Sequence, residues 1–486
     1  MKNIRLIVVL ASALPALLAA QPSLTIYNQN FAVVRDQVPL DLQPGENTVT
    51  YSGVTAQMEP DSVVLRDPTE KVALKILDQS YRADTLSQGY LLSLNEGKTL
   101  DFIVRDKDAK EFILKGKVIR SGYNPDGSNE QPIIEVNDQL RFSLPGEPVF
   151  PSLGYDTILK PALTWKLATD ATAKLKAEIS YITNGLTWQS SYNLVAPENG
   201  DSIDFVGWVT MTNNSGKTFS DALIKLMAGN VNKIQPVAMA MARGGRGGGG
   251  ALYAGASMMQ PVVTEQAFDE YHLYTLTRPV TLHDRETKQV EFVRSGNVTA
   301  QKIYVYDGAD TSNYGGMSSV SIRSTPDYGT QSNKRVWVMR EFKNSKDNGL
   351  GIPLPAGRVR FYRQDDADGS IQFVGENKIE HTPQDEVVRM YTGDAFDIVG
   401  ERTRTDYQLS NRNSTMTESF QIKLRNHKTE PVEVRVVEHL YRWVNWDITA
   451  KSDDFTKKDA QTAEFRVTLK PDEEKVITYT VVYNWQ

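Results

Sequence analysis

Ile203, Phe205, Val209 and Met211 alternate with Asp204, Thr210 and Thr212, the period-two pattern of a half-buried strand. Asn213-Asn214-Ser215-Gly216 follows, residues that tolerate positive φ, and predicts a turn. The stretch from Phe219 to Ala228 fits two templates. Phe219, Ala222, Leu223 and Leu226 make a helical stripe, whereas Ala222, Ile224, Leu226 and Ala228 make a strand face, and periodicity leaves both open. Trp208, set between Gly207 and Val209, is expected to pack where two sheets, or a sheet and a loop, meet.

The same alternation recurs along the chain. Leu24/Ile26, Val38/Leu40/Leu42, Val49/Tyr51 and Val72/Leu74/Ile76 predict short antiparallel strands, with turns at Pro44-Gly45, Pro60-Asp61 and Asp67-Pro68. Between 86 and 150, short apolar runs at 91–94, 102–104, 115–119, 133–134 and 141–144 predict about five strands in a small barrel-like module. Val432/Val434/Val436, Ala463/Phe465/Val467/Leu469 and Ile477/Tyr479/Val481/Tyr483/Trp485 are the cleanest alternations and predict sandwich strands. The expected fold is all-β and multidomain, with antiparallel β-sandwich domains and a small β-barrel-like module. Its expected division is 1–20 leader, 21–85 N-terminal β-domain, 86–150 module and 151–486 C-terminal domain. A Gly-rich stretch at 237–258 and a Gly/Ser/Asp-rich stretch at 307–330 read as long surface loops.

At 486 residues the chain can bury several cores. Lys2 and Arg5 precede an apolar run from Leu6 to Ala20, the layout of an export signal, so an exported protein of the bacterial periplasm or envelope is expected. No later apolar run is long enough for a spanning helix. Absence of cysteine excludes disulfides, thiolate catalysis and lipid-modified cysteine. Without Lys2 and Arg5, 52 basic residues face 60 acidic ones, a net charge of −8 that argues against nucleic acid as a partner.

Trp188-x3-Tyr192, Gly207-Trp208-Val209-Thr210, Asn213-x-Ser215-Gly216, Ala228-Gly229-Asn230-Val231-Asn232, Leu354-Pro355-Ala356-Gly357, Phe373-Val374-Gly375-Glu376, His381-Thr382-Pro383 and Asp394-Ala395-Phe396-Asp397 continue to Gly400-Glu401-Arg402 and Val436-Val437-Glu438-His439. Together they resemble a family of secreted bacterial β-proteins that includes those called mucoidy inhibitor-like. Its C-terminal domain carries only a domain-of-unknown-function name (4139). The resemblance implies membership and a β-fold, with no reaction attached. Those relatives normally carry a long helical segment between their N- and C-terminal units; here the small module takes its place.

Several motifs dissolve on inspection. Ser215-Gly216-Lys217-Thr218 ends like a phosphate loop, but Met211 stands where the first glycine belongs. Asp365-Asp366-Ala367-Asp368-Gly369 lacks a glutamate in register for a calcium loop and reads as a hairpin turn. His272, His283, His381, His427 and His439 show no metal-ligand spacing, and no cofactor motif stands. The densest group of polar chemistry is Glu376, Glu380, His381, Asp394, Asp397 and Arg402, the candidate contacts for an envelope protein or glycan. No catalytic residue is assigned. The expected role is non-enzymatic binding or structure in the envelope, and the alternative is a glycan hydrolase using carboxylates within 376–401.

Overall fold

The computed structural model describes residues 21–83, 87–105, 109–124, 130–151, 160–197, 200–229, 231–233, 263–268, 271–312, 316–410 and 414–485. The leader expectation for 1–20 and the Gly-rich stretch at 237–258 lie outside them. Strand dominates, as the alternations predict, and the expected all-β multidomain class is the one observed.

Two compact units share the chain. Met1–Trp188, Met211–Ala254 and Gln266–Lys288 belong to the first, and Gln189–Thr210, Gly255–Glu265 and Gln289–Gln486 to the second. This interleaving differs from the linear division at 85 and 150, and strand pairing is the reason. Phe31–Leu42 pairs with Ser23–Tyr27 on one side and with Ala173–Asn184 on the other. Ser23–Tyr27 in turn pairs in parallel with Phe219–Ala228, which settles that stretch as a strand. Among the described residues Leu186–Ala196 also pairs in parallel with Gly357–Gln364, and Gln301–Asp307 with Val432–His439. The three sheets that hold these pairs are therefore mixed, and in each parallel pair a long stretch of chain separates the partners, as a crossover requires.

The small module is an insertion. Lys75–Arg82 and Ala162–Thr169 are antiparallel neighbours whose pairing begins at Arg82 and Ala162, so residues 83–161 leave and return at adjacent positions. Inside it, five strands run in the order Glu147–Val149, Thr99–Arg105, Glu111–Arg120, Ile133–Val136, Gln139–Arg141, leaving the first and last as edges. Phe102, Val118 and Ile134 form its core with Leu92, Leu100 and Val136. Leu92 arrives on a helix, Gln88–Ser93, where the apolar run at 91–94 predicts a strand. Ser87 decides this: its hydroxyl accepts from the Tyr90 N–H and caps the turn.

Other turn predictions hold. Asn213 ends its strand and binds three carbonyls, of Lys217, Leu282 and His283, while its Oδ1 accepts from Ser215. Lys217, the phosphate-loop look-alike, is paired with Asp36 at 3.1 Å. Asp368-Gly369 turns Gly357–Gln364 into Ile371–Ile379, with Gly369 at φ 72°. Trp208 is half-buried. Its neighbour Gly207 holds the close position, because a Cβ there would lie 2.5 Å from Val293.

In the second unit nine strands form one sheet, ordered Trp446–Lys451, Glu474–Asn484, Thr415–Asn426, Val387–Leu409, Arg335–Lys343, Gln301–Asp307, Val432–His439, Thr462–Leu469, Phe455–Lys457. The sheet curls until its edges approach: the rings of Trp446 and Phe455, one from each edge strand, are 6.3 Å apart. Phe465 and Tyr479 meet across the interior at 5.7 Å. Valines, leucines and aromatics fill that interior, including Val434, Val436, Phe420, Ile422 and Val481. Among the described residues no helix is long and apolar enough to cross a membrane.

Candidate functional site

Charged side chains enter this interior by strand parity. Val432, Val434 and Val436 face inward, so Glu438 does too, and it is fully buried. On Thr415–Asn426 the inward row is Met416, Glu418, Phe420, Ile422 and Leu424; on Val387–Leu409 it runs from Ile398 through Gly400 to Arg402. Gly400 is small because Tyr306 lies against it: an added Cβ would come within 2.2 Å of the ring. Arg442, just past Val432–His439, is 3% exposed.

These groups pair closely. Arg402 Nε donates to both oxygens of Glu438 at 3.0 and 2.9 Å, and its guanidinium lies 3.9 Å above the ring of Phe420. Tyr479 donates its hydroxyl to Glu438 Oε2 at 2.5 Å. Burial, reinforced by the Glu438 charge, holds the Tyr479 hydroxyl protonated far above the usual range. Burial alone would weaken the charge on Arg402, but Glu438 outweighs it and keeps the guanidinium firmly charged. Glu418 accepts from Arg442 Nε at 3.2 Å and Nη2 at 2.9 Å, and from Arg404 Nη1 at 3.1 Å.

The three arginines carry more N–H donors than these two glutamates accept. Backbone carbonyls take further ones. Arg442 Nη1 donates to the carbonyls of Ile322 and Thr325, both at 2.6 Å, and Nη2 to those of Pro326 and Tyr328 at 3.2 and 3.1 Å. Arg404 also donates to Pro326, and Arg402 to Gly329 at 2.6 Å. Residues 316–330 are thus strapped over one end of the interior, with a short helix at Ser319–Ser324. The surface-loop expectation for 307–330 changes accordingly, because arginines far away in sequence order its second half.

Beneath the strap remains a cavity of about 20 Å³ lined by Arg402, Arg442, Glu418, His439, Tyr441 and Tyr328, among others. That is space for one water and not for a sugar ring. His439 Nε2 lies 2.8 Å from Asp307 Oδ2, a bond that raises the imidazole above its ordinary pKa against the opposing effect of burial. Tyr441, stacked on His439 at 5.0 Å, is pushed up to about 12 by burial and then by Asp307. A larger groove of about 400 Å³ lies in the first unit along Pro39–Asp41 and Lys174–Lys176, remote in sequence from all this chemistry.

Of the six residues singled out from the sequence, only Arg402 belongs to the cluster. Glu376 is exposed, 3.8 Å from both Arg358 and Arg360. Glu380 is exposed beside Lys378 at 3.6 Å. His381 accepts from the Ala356 N–H through Nδ1 at 3.2 Å. Asp394 accepts from the Tyr391 hydroxyl at 3.0 Å, and Asp397 is half-buried, with its backbone carbonyl taken by the His427 N–H. Arg404, Glu418, Glu438, His439 and Arg442 were not among the six, although Glu438 and His439 stand in the family-like signature and parity on their strands marks Glu418 and Glu438 as inward. Among the described residues no group of three His, Asp or Glu side chains is placed to hold a metal ion.

Fold and cluster together define an all-β protein whose largest sheet encloses a charged interior closed by the chain's own backbone. Residues 177–486 match the family described as a domain of unknown function, DUF4139, and the chain belongs to that family. No curated protein matches the chain.

Proposed function

We propose that this is an exported, non-enzymatic binding or structural protein of the bacterial envelope, related to the mucoidy inhibitor-like proteins. One observation carries the non-enzymatic part. The two carboxylates deepest in the charged interior, Glu418 and Glu438, have both oxygens engaged by arginine or tyrosine donors, and the cavity beside them has room for one water and none for a sugar ring. Export rests on Lys2 and Arg5 before the apolar run to Ala20.

The test has two parts. Intact mass of protein extracted from the envelope should start at or near Gln21, and purified envelope glycan incubated with it should be bound without being shortened. A cytoplasmic chain retaining Lys2 removes the export reading. Glycan shortening that disappears in Glu376→Gln or Asp394→Asn installs the hydrolase reading in its place.

A further inference from the structure

We propose that the strap at 316–330 is an internal occupant of a carboxylate-binding site, and that a small aromatic carboxylate takes its place on Arg402, Arg404 and Arg442. This deepens the binding-protein reading and rests on it.

Three guanidiniums gather on two glutamates, with Asp307 held nearby by His439, and further guanidinium donors are spent on five neutral strap carbonyls, those of Ile322, Thr325, Pro326, Tyr328 and Gly329. A carboxylate on arginine makes charge-assisted bonds roughly twice as strong as those to neutral acceptors, often in bidentate geometry. An incoming anion therefore satisfies Arg442 better than the carbonyls it displaces.

Attachment of the strap is also mostly polar. Its helix Ser319–Ser324 has no buried residue, and Val320 is 69% exposed. Beside the carbonyls, its anchors include Arg323, stacked 3.5 Å over Trp443 and 5.8 Å from Trp485, and the buried ring of Tyr328. Lifting the strap thus gives up the burial of Tyr328 and part of that of Met317 and Ile322.

Tyr328 sets the ligand class. Its ring meets Tyr441 edge-on at 6.3 Å and lies 5.4 Å from the Arg442 guanidinium, while its carbonyl accepts from that same arginine. A flat ring bearing a carboxylate reproduces both contacts, the ring against Tyr441 and the oxygens on Arg442. In the closed form the cavity of about 20 Å³ cannot hold such a molecule, so binding requires the strap to lift.

Hydrogen exchange of the 318–330 amides in the full chain tests this, with benzoate as probe and benzyl alcohol as the uncharged control at constant ionic strength. Benzoate should speed exchange in the segment by at least about tenfold, and benzyl alcohol should not. Arg323→Ala, which loosens the strap without touching the arginine cluster, should lower the apparent Kd for benzoate by about threefold or more, because the competent state becomes more populated. Unchanged or slower exchange with benzoate in both the parent and Arg323→Ala overturns the proposal. Envelope location and glycan binding are read by separate assays, so that outcome leaves the broader reading standing, and a cytoplasmic location leaves this one standing.

Discussion

Replacing Glu438 by glutamine would leave the Arg402 guanidinium, itself 5% exposed, without its counter-charge while keeping the shape of the site. Breaking one side of a buried pair in this way costs about 3 to 5 kcal/mol, because the surviving charge stays out of water. The pair is not by itself a source of stability, since removing two ions from water offsets most of their attraction. The triple change Arg402→Met, Glu438→Leu, Tyr479→Phe removes both charges and the hydroxyl that would otherwise be orphaned. It should therefore fall within about 2 kcal/mol of the parent, the residual reflecting the Gly329 carbonyl that loses its donor. Urea titration read through fluorotryptophan signals suits the two-unit chain, because Trp443, Trp446 and Trp485 report the second unit alone. A loss below about 1 kcal/mol in Glu438→Gln, or a triple variant as unstable as the single one, would refute the reasoning.

Two further outcomes follow from the same unit. His439 has a folded pKa raised above its unfolded value near 6.5 by Asp307, so its contribution to stability is fully present below that value and is lost as pH rises through the folded pKa. The second unit should thus weaken as pH climbs from 6.5, and Asp307→Asn should flatten that slope in denaturation series at several pH values. Gly400→Ala drives a Cβ into Tyr306, which is fully buried and fixed by its bond to the Asn333 carbonyl, so a loss of about 1 to 3 kcal/mol is expected in urea titration. A neutral Gly400→Ala would mean that the ring can move aside.

Strand content was legible wherever one face is apolar. The rows Val432 to Val436 and Ile477 to Tyr483 face the interior as their alternation requires. The site was less legible, for a geometric reason. Glu376, Glu380, Asp394 and Asp397 crowd together in sequence, but a strand advances about 3.3 Å per residue and turns successive side chains to opposite faces, so sequence density disperses in space. Parity was the better guide: a glutamate continuing a row of valines or phenylalanines, as Glu438 and Glu418 do, must be buried and must find a partner. Neither the strap nor the helix Gln88–Ser93 follows from periodicity. The first is ordered by arginines distant in sequence, the second by one capping serine.

The clamp of arginines on strap carbonyls can be observed directly by NMR of the chain labelled with ¹⁵N-arginine. Arg402 and Arg442 should show resolved Nη protons, slow to rotate and slow to exchange, because each donates at 2.6 Å to carbonyls of the strap. Averaged, rapidly exchanging signals from both residues would contradict it.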